Sequence, residues 1–271
     1  EGQKAQFEEQ KAQLEERIVR QISAELEIAA GKVRAAVRLL DEGNTIPFIA
    51  RYRKEMTGEL DENRLREIAD RLQYLRNLEE RKREVLRLID EQGKLTEELQ
   101  AAIENAVKMQ EVEDLYRPYR QKRKTRASVA RERGLEPLAD WIMSQPKQGS
   151  LEEEAARYID AEKGVPTAED AIRGAMDILA EMMADDPKVR AWVRKYTFDH
   201  GVLTAQAKDA ERESVYEMYY DYREPVRKLP PHRILAVNRG EREDVLKVGI
   251  EVPEETIFDH MMRRFAVEPS A

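Results

Sequence analysis

Between Asp61 and Gln92 the apolar residues stand at Leu65, Ile68, Leu72, Leu75, Leu78, Val85 and Ile89. Steps of three and four, with one of seven, gather them into one buried stripe along a long helix. Asp61 is placed to cap that helix and Gly93 to stop it. The remaining composition agrees with a multi-helical body. The 271 residues are 38% charged and 6% aromatic, and Glu, Lys, Arg, Leu and Ala, the strong helix formers, dominate.

Similar signals mark the other elements. A helix is expected from Gly31 to Asp41, with Val33, Val37 and Leu40 on one face and Gly43-Asn44 at its end. Thr45 caps the next helix, Pro47 suits its first turn, and Met56-Thr57-Gly58 breaks it. Thr96 opens a helix carrying Leu99, Ile103, Val107 and, at its far end, Val112. Gly134 and Pro137 separate two short helices, Trp141 and Ile142 read as core, and Ser150 with Glu153 reads as a capping box. Thr167 opens a helix through Ala184, and Asp186-Pro187 opens another through Tyr196.

After Asp199 the pattern changes. HRILAVNRG, residues 232–240, reads as a short helix closed by Gly240. VLKVGIEV, residues 245–252, reads as a strand with Leu246, Val248, Ile250 and Val252 on one side, and GVLTAQAK, residues 201–208, is its candidate partner. At the other end QKAQFEE is followed at once by QKAQLEE, over residues 3–16. Two heptads are too few for a coiled coil, so the repeat reads as an exposed helix leading into Ile18, Ile22 and Leu26. FAVEPSA, residues 265–271, closes no element, and the chain reads as a piece of something longer. The expected fold is mainly α, with one or two strands after residue 200. The expected division is an exposed helical extension at 1–17, a helical body at 18–198 and a smaller mixed segment at 199–271.

Several function classes drop out. There is no cysteine, which removes disulfides, thiolate metal sites and cysteine nucleophiles. No apolar run approaches a membrane span, and the polar, acidic EGQKAQFEEQ is unlike a signal peptide. A cytoplasmic protein is expected. His200, His232 and His260 lie about thirty residues apart without metal-ligand spacing and read as surface or capping histidines. Gly43, Gly58 and Gly93 each stand alone, so no phosphate-cradling loop forms. No catalytic residue, metal site or cofactor is expected, and the chain is not read as an enzyme.

One stretch runs against the overall charge. The chain carries a net charge of -8, yet YRPYRQKRKTR, residues 116–126, gathers Arg117, Arg120, Lys122, Arg123, Lys124 and Arg126, with no acid between Asp114 and Glu132. A compact cationic run attracts phosphate backbones through counterion release, and arginine adds bidentate contacts. Tyr116 and Tyr119 suit base stacking and suit a core equally well. The competing reading is that the run docks on an acidic face of the same protein, which has 55 acidic residues to offer. Arg51, Arg53 and Lys54 form a second cationic group. Arg51 and Lys54, three apart, are expected to share a helix face, with Glu55 one turn from Arg51. The preferred reading there is an internal ion-pair network locking a tight turn, with nucleic acid as the secondary assignment.

GNTIPFIARYRKEMTGELDE (residues 43–62), YLRNLEERK (74–82), LYRPYRQKRKTR (115–126) and HRILAVNRG (232–240) together resemble the Tex family of bacterial transcription accessory proteins. The resemblance covers the chain from about Ile18 onward. It implies the amino-terminal helical region of such a protein, with a helix-turn-helix-like part. The RNase H-like, helix-hairpin-helix and OB-fold RNA-binding domains of the family would be missing. KRKTR departs from the pattern of two adjacent arginines and a closing lysine common in relatives, which matters where a contact is bidentate.

The resemblance implies binding of RNA or DNA without strong sequence preference. Arg117, Tyr119, Arg120, Lys122, Arg123, Lys124 and Arg126 would form the site, with Arg51, Arg53 and Lys54 secondary. The alternative it leaves is a helical scaffold that docks the rest of the protein or RNA polymerase.

Overall fold

The computed structural model describes residues 2–266. The tail of FAVEPSA, residues 267–271, lies outside them. The fold is mainly α, with one small antiparallel sheet after residue 200, as the sequence predicts. Two compact units form, residues 1–112 and residues 113–271.

The first unit holds α1 (Gly2–Leu26), α2 (Ala30–Asp41), α3 (Ile46–Tyr52), α4 (Lys54–Thr57), α5 (Glu62–Glu91) and α6 (Glu97–Glu104); the boundary falls inside α7 (Met109–Tyr116). The α5 stripe is buried throughout, from Leu65 to Ile89, against α1, α2 and α3. Ile18, Ile22, Val33, Val37, Leu39 and Ile49 complete the core. Leu39, not Leu40, joins Val33 and Val37 in the buried face of α2. Asp61 Oδ1 accepts the Arg64 amide at 2.8 Å and Thr96 Oγ1 the Leu99 amide at 3.1 Å, so both predicted caps are made. Ion pairs clamp the outside. Arg76 of α5 donates to Glu15 of α1 at 2.7 Å and to Asp41 of α2 at 2.8 Å, and their hydrogen bonds raise its pKa further above an already high value.

Two helix boundaries in this unit also depart from expectation. The helix opened by Thr96 ends at Glu104, so Val107 stands 53% exposed and Val112 belongs to α7. The helix opened by Thr45 breaks at Arg53, before Met56-Thr57-Gly58, because Arg53 leaves helical geometry at φ -127°. Arg51 therefore sits in α3 and Lys54 in α4, and they do not share one helix face.

The second unit continues with α8 (Arg126–Glu132), α9 (Glu136–Ser144), α10 (Leu151–Ala156), α11 (Ala168–Asp185), α12 (Pro187–His200), β1 (Val202–Ala207), β2 (Asp221–Pro225), α13 (Pro231–Arg242), β3 (Leu246–Glu251) and α14 (Glu254–Phe265). α8, α9 and α10 pack on α11 through Ala127, Ala130, Leu138, Ala155, Ala171, Ala175 and Ile178, with Trp141 and Ile142 half-buried at the margin. Ser150 Oγ accepts the Glu153 amide, but among the described residues the Glu153 side chain does not accept the Ser150 amide, so the reciprocal half of the expected capping box is absent. Thr125 and Ser128 make a full capping box instead.

The sheet order is β2-β1-β3, both pairs antiparallel, with Ala205 opposite Tyr222 on one side and Val248 on the other. The predicted partner of β3 is thus correct, and β2 is an addition. Ala205, Tyr216, Tyr219, Val237, Val245 and Leu246 form the core beneath the sheet. Gly240 does not close α13, which runs on to Arg242. It is buried where a Cβ would fall 2.5 Å from Leu246 Cδ1, so it is glycine for close packing. Asp186 caps α12 at the Lys188 and Val189 amides and also accepts Arg264 of α14 at 2.8 Å.

Candidate nucleic-acid interface

The basic segment leaves α7 through a 3-10 turn at Arg117–Tyr119 and runs without regular structure to the cap of α8 at Thr125. Its course lies along α11. Asp177, Glu181 and Asp185 recur every four residues on that helix and so share one face. Arg117 Nε donates to Asp185 Oδ1 at 2.9 Å, and Lys122 pairs with Asp185 Oδ2. Lys122 also lies 3.6 Å from Glu181, Arg126 lies 3.6 Å from Asp177, and Arg120 pairs with Glu113 of α7 at 2.6 Å. The Asp185 side chain is 9% exposed, so its two cations offset the desolvation of a buried carboxylate.

Glu181 is the hub of this face. It accepts Thr125 Oγ1 and Arg131, each at 2.9 Å. Burial pushes its carboxyl up, but the Arg131 and Thr125 hydrogen bonds and the Lys122 charge outweigh burial and hold it below the ordinary glutamate value. Asp114, also buried, is met from the other side by Arg194 at 3.0 Å and Arg190 at 3.4 Å of α12. Tyr116 is buried beneath the Arg120 guanidinium, 5.6 Å from its ring centroid, and Tyr119 is half-buried. Of the six cations, Arg117, Arg120, Lys122 and Arg126 thus face carboxylates of their own chain. Arg123 and Lys124 are exposed at the crest of the segment, with no ion pair among the described residues.

The second cationic group has the opposite character. Among the described residues Arg51, Arg53 and Lys54 have no ion pair, so the expected network with Glu55 does not form. The Arg53 guanidinium donates to the Tyr52 carbonyl at 3.1 Å and lies 5.0 Å from the Phe48 ring centroid. Phe48 and Tyr52 rings sit 5.2 Å apart, and Tyr52 is 61% exposed. The turn is held from below by Ile49 and Thr57, both fully buried, the latter bonded to the Arg53 and Lys54 carbonyls. Gly58 closes it at φ 65°, and the Lys32 stem crosses so closely that a Cβ there would fall 2.7 Å from Lys32 Cε.

The histidines, spread in sequence, are partly gathered in space. His260 of α14 stacks on Trp192 of α12 at 3.8 Å and 3°, Trp192 on Tyr196 at 5.0 Å, and His200 lies 4.7 Å from Tyr196. Spacing of i, i+4 and i+8 along α12 carries three of the four rings, a signal the histidine positions alone do not give. Among the described residues no group of three or more His, Asp or Glu is arranged to hold a metal ion, and no helix is long and apolar enough to cross a membrane.

Comparison with known proteins agrees with this organisation. The Tex-like protein N-terminal domain matches residues 16–90 and the Tex central region-like family matches residues 146–268. The chain belongs to the Tex-like family. It is 53% identical over 247 residues to the uncharacterized protein YdcI of Bacillus subtilis, covering 90% of this chain and 34% of that protein. It is 45% identical to the transcriptional accessory protein Tex of Neisseria gonorrhoeae, covering 88% and 32% respectively. A human S1 RNA-binding domain-containing protein 1 is 32% identical over 228 residues, or 80% of this chain and 22% of that protein. The chain spans about a third of the length of its bacterial relatives. The α3–α4 turn lies inside the first family match, whereas residues 117–126 fall between the two.

Proposed function

We propose that this chain is a helical support region of a transcription accessory protein, non-enzymatic and working beside nucleic acid. In this reading residues 117–126 are first an internal brace and only at Arg123 and Lys124 a contact for phosphate. The observation that carries it is the pairing of Arg117 and Lys122 with the buried Asp185 on the acidic face of α11. A side chain already committed to a buried carboxylate cannot also release counterions from a phosphate without leaving that carboxylate unpaired. The names of two relatives, a transcriptional accessory protein and an S1 RNA-binding domain-containing protein, support the transcription-related setting.

The test is fluorescence anisotropy with labelled single-stranded RNA and duplex DNA across a salt series. Arg123→Ala/Lys124→Ala should flatten the log-log salt slope by roughly one to two units, as removal of two phosphate contacts requires. Arg117→Gln/Lys122→Gln should act on folding before it acts on binding. If that second variant unfolds like the wild type yet loses its nucleic acid, the segment is a binding site and not a brace.

A further inference from the structure

The α3–α4 turn has no internal explanation for its charge. Arg51, Arg53 and Lys54 are exposed and, among the described residues, without ion pairs, in a protein whose other arginines mostly meet carboxylates. Glu55 and Glu59, the acids on the same turn, make no ion pair with them. Tyr52 holds an exposed ring in the midst of these cations, fixed from one side by Phe48. Met56 is 47% exposed beside it. The backbone is set rather than loose: Thr45 caps α3, Pro47 fixes its first turn, and Ile49 and Thr57 are fully buried. Glu59, directly after Gly58, occupies the left-handed region at φ 66°, a conformation non-glycine residues hold only where the surroundings impose it. Lys32 of α2 reaches the same turn across Gly58.

An exposed ring among cations with free donors matches the chemistry of an unpaired nucleotide. The ring offers a face to any base, and the cations offer donors to the flanking phosphates. A duplex satisfies only the second half of that match, because its bases are already stacked. An acidic peptide likewise has charge for the cations and nothing for the ring. We propose that the α3–α4 turn binds single-stranded nucleic acid, with Tyr52 stacking one base and Arg51, Arg53, Lys54 and Lys32 contacting phosphates. This site is separate from residues 117–126 and does not depend on how that segment is read.

The test uses the 271-residue chain and labelled oligouridine, oligodeoxythymidine and duplex DNA of about 16 units, a length at the upper end of single-strand site sizes. Tyr52→Ala should weaken both single strands by about tenfold or more and leave the duplex unchanged, while Tyr52→Phe should bind as the wild type. Arg51→Gln/Arg53→Gln/Lys54→Gln should flatten the single-strand salt slope by about two units. The two oligonucleotides show whether RNA or DNA is preferred. The variants alter exposed side chains, and matched thermal unfolding confirms the fold. Arg123→Ala/Lys124→Ala, run alongside, separates this site from the other segment. Three results each overturn the proposal: no binding by the wild type at low salt, a triple variant with unchanged affinity and slope, or equal displacement of the oligonucleotide by poly-glutamate with Tyr52→Ala neutral. The last would make the turn a site for acidic protein.

Discussion

The two cationic clusters of this chain look alike as strings and differ as structures. Residues 116–126 hold more positive charge, yet most of it is turned toward Glu113, Asp177, Glu181 and Asp185. Residues 51–54 hold half as many cations, and none meets a carboxylate among the described residues. Local charge density is therefore a poor guide to available charge. What decides availability is whether an acidic face lies opposite. For the first cluster that face is a helix whose Asp185 lies 68 residues beyond Arg117 and 63 beyond Lys122. The second cluster occupies a turn whose buried anchors are Ile49 and Thr57, an apolar side chain and a hydroxyl.

The sharpest way to break this comparison is to remove the brace. Arg117→Gln/Lys122→Gln leaves Asp185 buried without a cation, and breaking a buried pair from one side costs about 3 kcal/mol or more. For a unit of this size that lowers the unfolding midpoint by roughly 10 °C. Adding Asp185→Asn should restore a large part of the loss, since the uncompensated charge goes with it. A double variant that melts within a degree or two of the wild type would show that the pairing does not hold the segment, and the two clusters would then be of one kind.

A smaller effect is expected at the other cluster from Gly58→Ala. The residue sits at φ 65° and ψ 42°, where a Cβ costs about 1–2 kcal/mol. The steric clash is with the flexible Lys32 stem, which can move aside, so most of the cost is backbone strain. Chemical denaturation should show a loss of that order with an unchanged m-value. The same variant displaces Lys32, a phosphate contact, so single-strand affinity should fall modestly. An alanine tolerated without cost would mean that the turn is not held in the shape described.

The sequence exposes these features unevenly, for physical reasons. The α5 stripe and the caps at Thr45, Asp61, Thr96, Thr167 and Asp186 are legible because period and capping are local. The β1–β3 pairing is legible because β3 alternates through Leu246 and Val248. β2 is not, because Asp221, Arg223 and Glu224 give it a polar text, and α14 is not, because it buries no residue fully and has no side-chain cap. Gly240 misleads because a packing glycine and a terminating glycine are the same letter. Of the site, the residue types of both clusters are visible in sequence. Their partners are not, since pairing with Asp185 or with nothing is decided by tertiary structure. The break at Arg53 separates Arg51 from Lys54 for the same reason.

Acid titration sharpens the contrast by a milder route. The Glu181 carboxyl is held below its ordinary value, so it contributes stability that is fully present above the unfolded glutamate value, about 4.3. That contribution is lost as pH falls through the lowered folded value. Asp186, depressed by Arg264 and the Val189 amide against the opposing effect of burial, behaves in the same sense. Unfolding followed between pH 7 and 3 should thus show residues 113–271 losing stability only at the acid end. At pH 5 the α3–α4 turn should still bind single strands as at neutrality, because its cations have no carboxylate partner to lose among the described residues. A binding loss between pH 7 and 5 without unfolding would point to a titrating group at the turn that the described contacts do not contain.

The smallest effect belongs to Arg123→Ala/Lys124→Ala. These two side chains are exposed on the crest of the braced segment, and substitutions at such positions change stability by about 0.5 kcal/mol or less. The value of the variant lies in that neutrality. It removes two positive charges from the segment while sparing Arg117 and Lys122, so any loss of nucleic-acid affinity reports free charge alone. If its unfolding midpoint matches the wild type and its salt slope flattens, the segment consists of braced cations and a free pair, Arg123 and Lys124. If the midpoint falls as far as in Arg117→Gln/Lys122→Gln, the whole segment is brace, and of the two clusters only Arg51, Arg53 and Lys54 offer free charge.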